Sequence, residues 1–200
     1  MAMDIKELNI GVSDYNSTEG FTNIGLDISH SPPTKLNHDV TNKIPIDDSS
    51  IEFIYTSHLV EHLKIEDFYF FIKDCYRLLK EGGILRIVTP DLKEWVKSYL
   101  NNDQELFKLH QQIMIENKGR PWSLIDHEYV QLPADYFMTI CHNWNHKWLF
   151  DYESISYHLK KCGFKNIINT GYRNSGYKDI ERVEFNPEFY KPSLYIEVKK

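Results

Sequence analysis

Leu36-Asn37-His38-Asp39-Val40 opens, and Arg77-Leu78-Leu79-Lys80-Glu81-Gly82-Gly83-Ile84-Leu85-Arg86-Ile87-Val88-Thr89-Pro90-Asp91 closes, the stretch whose reading decides the fold. Across it the pattern runs strand, loop, strand, helix, strand. Ile51–Thr56 and Ile84–Thr89 are short, β-branched and aromatic, as strands covered on both faces are, and parallel neighbours of that kind need a crossover helix between them. Asp67–Lys80 supplies it, with Phe68, Phe71, Ile72, Cys75, Leu78 and Leu79 at three- and four-residue spacings on one face. Gly82-Gly83 is the expected stop, at a left-handed cap. The stretch predicts a βαβ unit.

Outward from that unit, 200 residues with 42% hydrophobic and 14% aromatic content fit one sizeable core, so residues 1–200 are expected to form a single domain. No internal repeat, low-complexity segment or linker interrupts it. A formal charge of -6 argues against non-specific binding to a phosphate backbone, and no nucleic-acid partner is expected. Cys75, Cys141 and Cys162 are odd in number and widely spaced, which fits buried free thiols in a reducing, cytoplasmic compartment. No apolar run approaches the length of a membrane span, so no membrane insertion is expected.

Towards the N-terminus, Glu7–Gly11 reads as a first short strand, Phe21–Ile28 as a second carrying Asp27 near its end, and Lys35–Val40 as a third ending on Asp39. Ser31-Pro32-Pro33 forbids regular structure between the last two. Three strands that finish in loops carrying Gly or Asp place one crevice at the carboxyl edge of a parallel sheet, where open α/β sheets bind ligands.

These pieces, in this order, resemble a class I, Rossmann-like S-adenosylmethionine-dependent methyltransferase, close to the small methyltransferase-type-11 group. The resemblance rests on Leu8-Asn9-Ile10-Gly11, Asp27, His38-Asp39-Val40, Ile44-Pro45-Ile46-Asp47-Asp48-Ser49-Ser50-Ile51, Ser57-His58-Leu59-Val60-Glu61-His62, Arg77 to Gly83 and Val88-Thr89-Pro90-Asp91. It implies an α/β fold with a seven-stranded, mostly parallel sheet, a C-terminal antiparallel hairpin and S-adenosyl-L-methionine as cofactor. It also implies cofactor contacts from Gly11, Val12, Asp27, Ile28, Asp39, Val40 and Ser57. Gly11 would let backbone approach the cofactor. Asp27 would accept from the ribose hydroxyls, for which an ionised, acceptor-only carboxylate is suited. Asp39 would receive the adenine amino group, with Val40 offering backbone and an apolar wall. Each residue also has a plainer reading: a loop glycine, or a carboxylate that forms a turn.

One departure concerns the first motif, which reads Gly11-Val12-Ser13-Asp14 where the family has several glycines and then a helix. Little room remains before Asp27, so the first crossover helix is expected to be shortened or absent, as the resemblance implies for short relatives. A non-catalytic binding protein of the same fold is the alternative reading.

His58-Leu59-Val60-Glu61-His62 also spells the inverted zinc-protease pattern, two imidazoles and a carboxylate base, which makes a zinc hydrolase a second alternative. The segment follows a predicted buried strand and no third ligand is fixed by the sequence, although downstream carboxylates such as Glu128 exist, so no metal is expected. As a methyltransferase the same residues lie beside the reactive methyl. His58 or His62 would then take the acceptor's proton, with Glu61 as an orienting partner, the plainer reading being a hydrogen-bonded structural histidine.

Beyond Asp91, Leu92, Trp95, Val96, Tyr99 and Leu100 mark one helical face, and Leu106, Leu109, Ile113 and Met114 another. Asn117–Trp148 reads as irregular and rich in Trp, Tyr and His, an expected cover over a small-molecule or saccharide acceptor. Cys141-His142-Asn143-Trp144-Asn145-His146 within it offers metal-ligating side chains but no distant pair. Asp151 is an expected N-cap for a helix stopped by Gly163, and Phe164–Thr170 and Ser193–Val198 read as two closing strands.

Overall fold

The computed structural model describes residues 6–12, 22–25, 36–119, 123–185 and 192–200. Strands β1 (Glu7–Val12), β2 (Thr22–Gly25), β3 (Leu36–Asn37), β4 (Ile51–Ser57), β5 (Leu79–Pro90), β6 (Lys165–Asn169) and β7 (Ser193–Lys199) form one sheet in the order β3-β2-β1-β4-β5-β7-β6. Pairings from β3 to β5 are parallel. Strand β7 runs antiparallel to both β5 and β6, which is the expected closing hairpin. The chain reverses its direction of travel across the sheet between β1 and β4, the point at which such sheets open a crevice. The expected end of the second strand, Asp27 and Ile28 included, and the first crossover lie outside the described residues.

Helix α1 (Ile65–Leu78) is the predicted crossover between β4 and β5. It ends without the expected glycine cap: Leu79 is already extended and pairs with Ile51 of β4. Gly82-Gly83 lies instead inside β5, because a Cβ on Gly83 would approach the carbonyl oxygens of Lys80 at 2.9 Å and Ile51 at 3.2 Å. Strand packing thus demands Gly83, whereas Gly82 is used for its positive φ of 77° and neither terminates the helix.

Alternation along the strands builds two apolar layers. Leu8, Ile10, Ile54, Leu85 and Ile87 face α1 and α5 (Tyr152–Lys161), which add Phe68, Phe71, Ile72, Ile155 and Leu159. Asp151 caps α5, its carboxylate accepting from Ser154 N at 2.7 Å. The opposite residues, Phe53, Tyr55, Ile84, Val88 and Tyr195, pack against Tyr172, Tyr177, Ile180 and Val183. That second layer is therefore made by the polar-looking excursion after β6, with Tyr177 stacked on Phe53 at 3.8 Å between ring centroids.

Helices α2 (Leu92–Asn101), α3 (Gln104–Glu116) and α4 (Pro133–His142) follow β5 and form a smaller aromatic cluster around Phe107, Met114, Val130 and Tyr136. The first two were expected; α4 stands where irregular chain was predicted. Pro133 opens it with its preset φ, and Asp135 accepts backbone N–H groups from Gln131 at 3.1 Å and Leu132 at 2.8 Å. All three cysteines are free thiols, and burial raises the pKa of each. Among the described residues no helix is long and apolar enough to cross a membrane.

Candidate active site at the β1–β4 edge

The carboxyl ends of β1 and β4 meet at Gly11 and Leu59. Gly11 has φ +88°, and a Cβ there would stand 2.9 Å from Cβ of Leu59. Its conformational freedom is thus used to seat the turn after β4 against the end of β1. The Ser57 hydroxyl, the last side chain of β4, is buried and lacks a partner among the described residues, as does the Thr56 hydroxyl. A buried hydroxyl without a partner costs about 1–3 kcal/mol, and of these two, which point to opposite faces of the sheet, Ser57 is the one at the carboxyl end of β4.

His58 follows in the left-handed region at φ 49°, a conformation non-glycine residues seldom hold without support. Support comes from both sides: its backbone N–H donates to Val88 O at 2.9 Å, and its Nδ1 lies 3.0 Å from Oε1 of Glu61. Glu61 has no exposure at all, while the His58 ring keeps 27%. The second Glu61 oxygen accepts from the Thr89 hydroxyl at 3.0 Å. Burial pushes the Glu61 carboxyl up, but His58 and its hydrogen bond pull harder, and the pKa falls to about 2. An ionised carboxylate only accepts, so a proton carried on Nδ1 would face Glu61 and Nε2 is turned away from it. The Ser193 hydroxyl is 3.5 Å from that nitrogen.

His62 is not one helical turn from His58 on a shared face, as the inverted zinc-protease pattern requires. Residues Val60–His62 form a single 3-10 turn, and the ring of His62 meets that of His146 at 4.9 Å. The backbone of Trp144 and Asn145 beside the His62 ring favours its protonated form, though burial outweighs it, and His146 Nδ1 donates to Ile140 O at 2.6 Å. Burial lowers the pKa of His62, and lowers that of His146 to about 4, so both imidazoles are neutral at pH 7. The Glu61 carbonyl accepts from the backbone N–H of Lys147 at 2.7 Å and of Trp148 at 3.1 Å. The end of the expected cover is therefore fastened to the turn after β4.

Other expected contacts separate. Asp39 is exposed, and its carboxylate closes a turn by accepting from Thr41 N at 2.9 Å and the Thr41 hydroxyl at 2.8 Å. The Thr41 bonds hold its pKa below the usual carboxylate value. Val40 has 1% exposure within the main core, so a ligand there would meet its backbone. Val12 belongs to β1, with its side chain outside the described residues. Sequence reasoning missed His146 as a neighbour of Glu61 and His62. It also missed Thr89 as a partner of Glu61. Neither has a local spacing signal, because each arrives from a distant element.

A sequence model described as a methyltransferase domain matches residues 14–87. No curated protein matches the chain. Among solved structures, an S-adenosylmethionine-dependent methyltransferase of Thermotoga maritima is similar over 98% of this chain and 82% of its own, with a TM-score of 0.55 and 14% identity. One from Archaeoglobus fulgidus is similar over 98% of this chain and 86% of its own, with a TM-score of 0.54 and 16% identity. Phosphoethanolamine N-methyltransferase 2 of Haemonchus contortus, in complex with S-adenosylmethionine, covers all of this chain with 49% of its own length, at a TM-score of 0.53 and 14% identity. The chain has the class I, Rossmann-like fold of S-adenosylmethionine-dependent methyltransferases, and the methyltransferase-domain match begins after β1 and runs from β2 into β5.

Proposed function

We propose that the protein is an S-adenosylmethionine-dependent methyltransferase that acts on a small-molecule or saccharide acceptor. The observation that carries this reading is the β1–β4 edge itself, where the unpartnered Ser57 hydroxyl adjoins a histidine oriented by a fully buried carboxylate. The cofactor would be held by the backbone at Gly11 and Val12, by Asp27 and Ile28 after β2, by Asp39 and the Val40 backbone, and by Ser57. Structural relatives support the cofactor, one of them having been solved with S-adenosylmethionine.

When bound, S-adenosylmethionine supplies a methyl on a positively charged sulfur, already activated for displacement. The chain then has to align an acceptor and receive its proton. Nε2 of His58 is the atom suited to that, since Glu61 keeps the proton on Nδ1 and stabilises the imidazolium that forms. His62, tied to the 144–145 backbone, holds the cover in place and borders the same site. Exposed aromatic surface on the cover, such as Trp148 and Tyr129, suits the C–H face of a sugar or a planar acceptor.

His58→Gln tests the assignment. It should lower kcat by about 100-fold or more while cofactor affinity changes by less than about threefold. Unchanged turnover would remove His58 from the reaction.

A further inference from the structure

Glu61, His62 and His146 each offer one ligand atom, and the three atoms lie within 4.8 Å of one another. Two imidazoles and one carboxylate are a donor set for a borderline-soft divalent ion. We propose that these three side chains form a binding site for a divalent transition-metal ion of the zinc or cobalt class, joining the turn after β4 to the end of the cover.

The surroundings of each donor match that role. His146 Nδ1 donates to the Ile140 carbonyl, which leaves the Nε2 lone pair for an ion, and the Trp144 and Asn145 backbone beside the His62 ring favours a proton on it. Metal-bound histidines are held in this way, by a main-chain carbonyl behind the ring. Glu61 accepts from Thr89 on Oε2, while the buried Oε1, 3.0 Å from His58 Nδ1, has no hydrogen-bond partner among the described residues, so the carboxylate keeps lone pairs for an ion. His58 thereby stands behind the carboxylate rather than among the ligands. The third ligand that the 58–62 segment lacks comes from a residue far along the chain. Donors around a tetrahedral ion are roughly 3.3 Å apart at bond lengths near 2.0–2.1 Å, so small side-chain rotations of the half-buried His62 and His146 would close the site.

A second group, Asp126, His127 and Glu128, shows the contrast. There Lys118 Nζ already lies 3.3 Å from Asp126 and 3.1 Å from Glu128, so a fixed cation fills the place of an ion.

The experiment uses the full chain, freed of metal by chelation and titrated with Co(II) and Zn(II), with no cofactor or acceptor present. One equivalent of Co(II) should bind and give visible d–d absorption. Zn(II) at about 100 times its Kd should raise Tm by about 5–10 °C. His62→Gln and His146→Gln should each weaken binding at least about 100-fold and abolish the Tm shift. His142→Ala, an exposed histidine beside the site, should leave both unchanged. His62→Ala and His146→Ala accompany the Gln variants, and far-UV circular dichroism selects the folded member of each pair. Wild-type protein that binds neither ion below about 100 µM overturns the site. Binding that survives in the folded His62 and His146 variants overturns it equally. Methyl transfer is not measured in either arm, so failure of this site and failure of the proposed activity are separate results.

Discussion

Gly11 shows how a residue's reason can differ from the one its motif implies. The resemblance assigns it to cofactor approach, whereas the atom that crowds it is Cβ of Leu59. Gly11→Ala should therefore destabilise the protein even without ligand, by about 1–3 kcal/mol in urea unfolding, through positive φ and the clash together. A change below about 0.5 kcal/mol would show that the β4 turn can retreat. His110 supplies a prediction in pH. It is buried between Trp95 and Trp144, with Nε2 on the Thr139 hydroxyl at 2.7 Å, and burial pushes its pKa down to about 4. The unfolded chain binds a proton near pH 6.5 that the folded chain refuses, so its contribution is full above that value and lost as pH falls towards 4. The amount is on the order of 3 kcal/mol. Denaturant unfolding at pH 7 and pH 4.5 should show a steeper loss in wild type than in His110→Gln, and equal slopes would place the pH sensitivity elsewhere. The contact of His58 with Glu61 lies in the turn after a buried strand, where the resemblance directed attention. His110 was not legible, since an imidazole on an apolar stripe reads the same whether it is a ligand or a hydrogen-bonded core residue.

Among elements, those with strong periodicity were legible: β4, α1, β5, α2, α3 and α5 all fall where the pattern puts them. Helix α4 was not, because its Trp-, Tyr- and His-rich surroundings hide a short apolar face of Tyr136, Thr139 and Ile140. The signal available was Pro133 followed by Asp135, a helix start rather than a helix face. The excursion after β6 was misjudged for a different reason. Its sequence is polar, yet it covers one face of the sheet, and a buried ion pair fastens it there: Arg86 Nε to Glu184 Oε1 at 2.8 Å, with 0% and 1% exposure. Arg86 also donates to Gly171 O at 2.7 Å and to the Thr170 hydroxyl. Glu184→Ala should leave that guanidinium buried without its counter-ion and cost about 3–5 kcal/mol. A loss under 1 kcal/mol would show that the excursion is held by its aromatic contacts with Phe53 and Tyr195 alone.

For the molecule as a whole, the βαβ unit followed from local patterns and the seven-stranded sheet only from the resemblance, while the proposed site is an encounter between the turn after β4 and the end of the expected cover that brings His146 to Glu61 and His62. Trp148 is 42% exposed and its backbone N–H is bound to Glu61, which makes it a better probe of the acceptor than Trp144, packed beside His110 and His146. Trp122 falls outside the described residues. Trp148→Ala should raise the acceptor KM or lower turnover and leave cofactor affinity within about threefold, below roughly 1 kcal/mol. A collapse of cofactor affinity at unchanged Tm would put the nucleotide under the cover instead.

The central claim is that this edge binds S-adenosylmethionine, and calorimetric titration of wild type and Asp27→Ala with S-adenosylhomocysteine tests it most directly. The account predicts saturable 1:1 binding by wild type. Loss of the charge-assisted bond to the ribose should raise Kd about 10- to 150-fold in Asp27→Ala, equivalent to about 1.5–3 kcal/mol. No binding by the folded wild-type protein at millimolar ligand, or equal affinity in the two proteins, would contradict it.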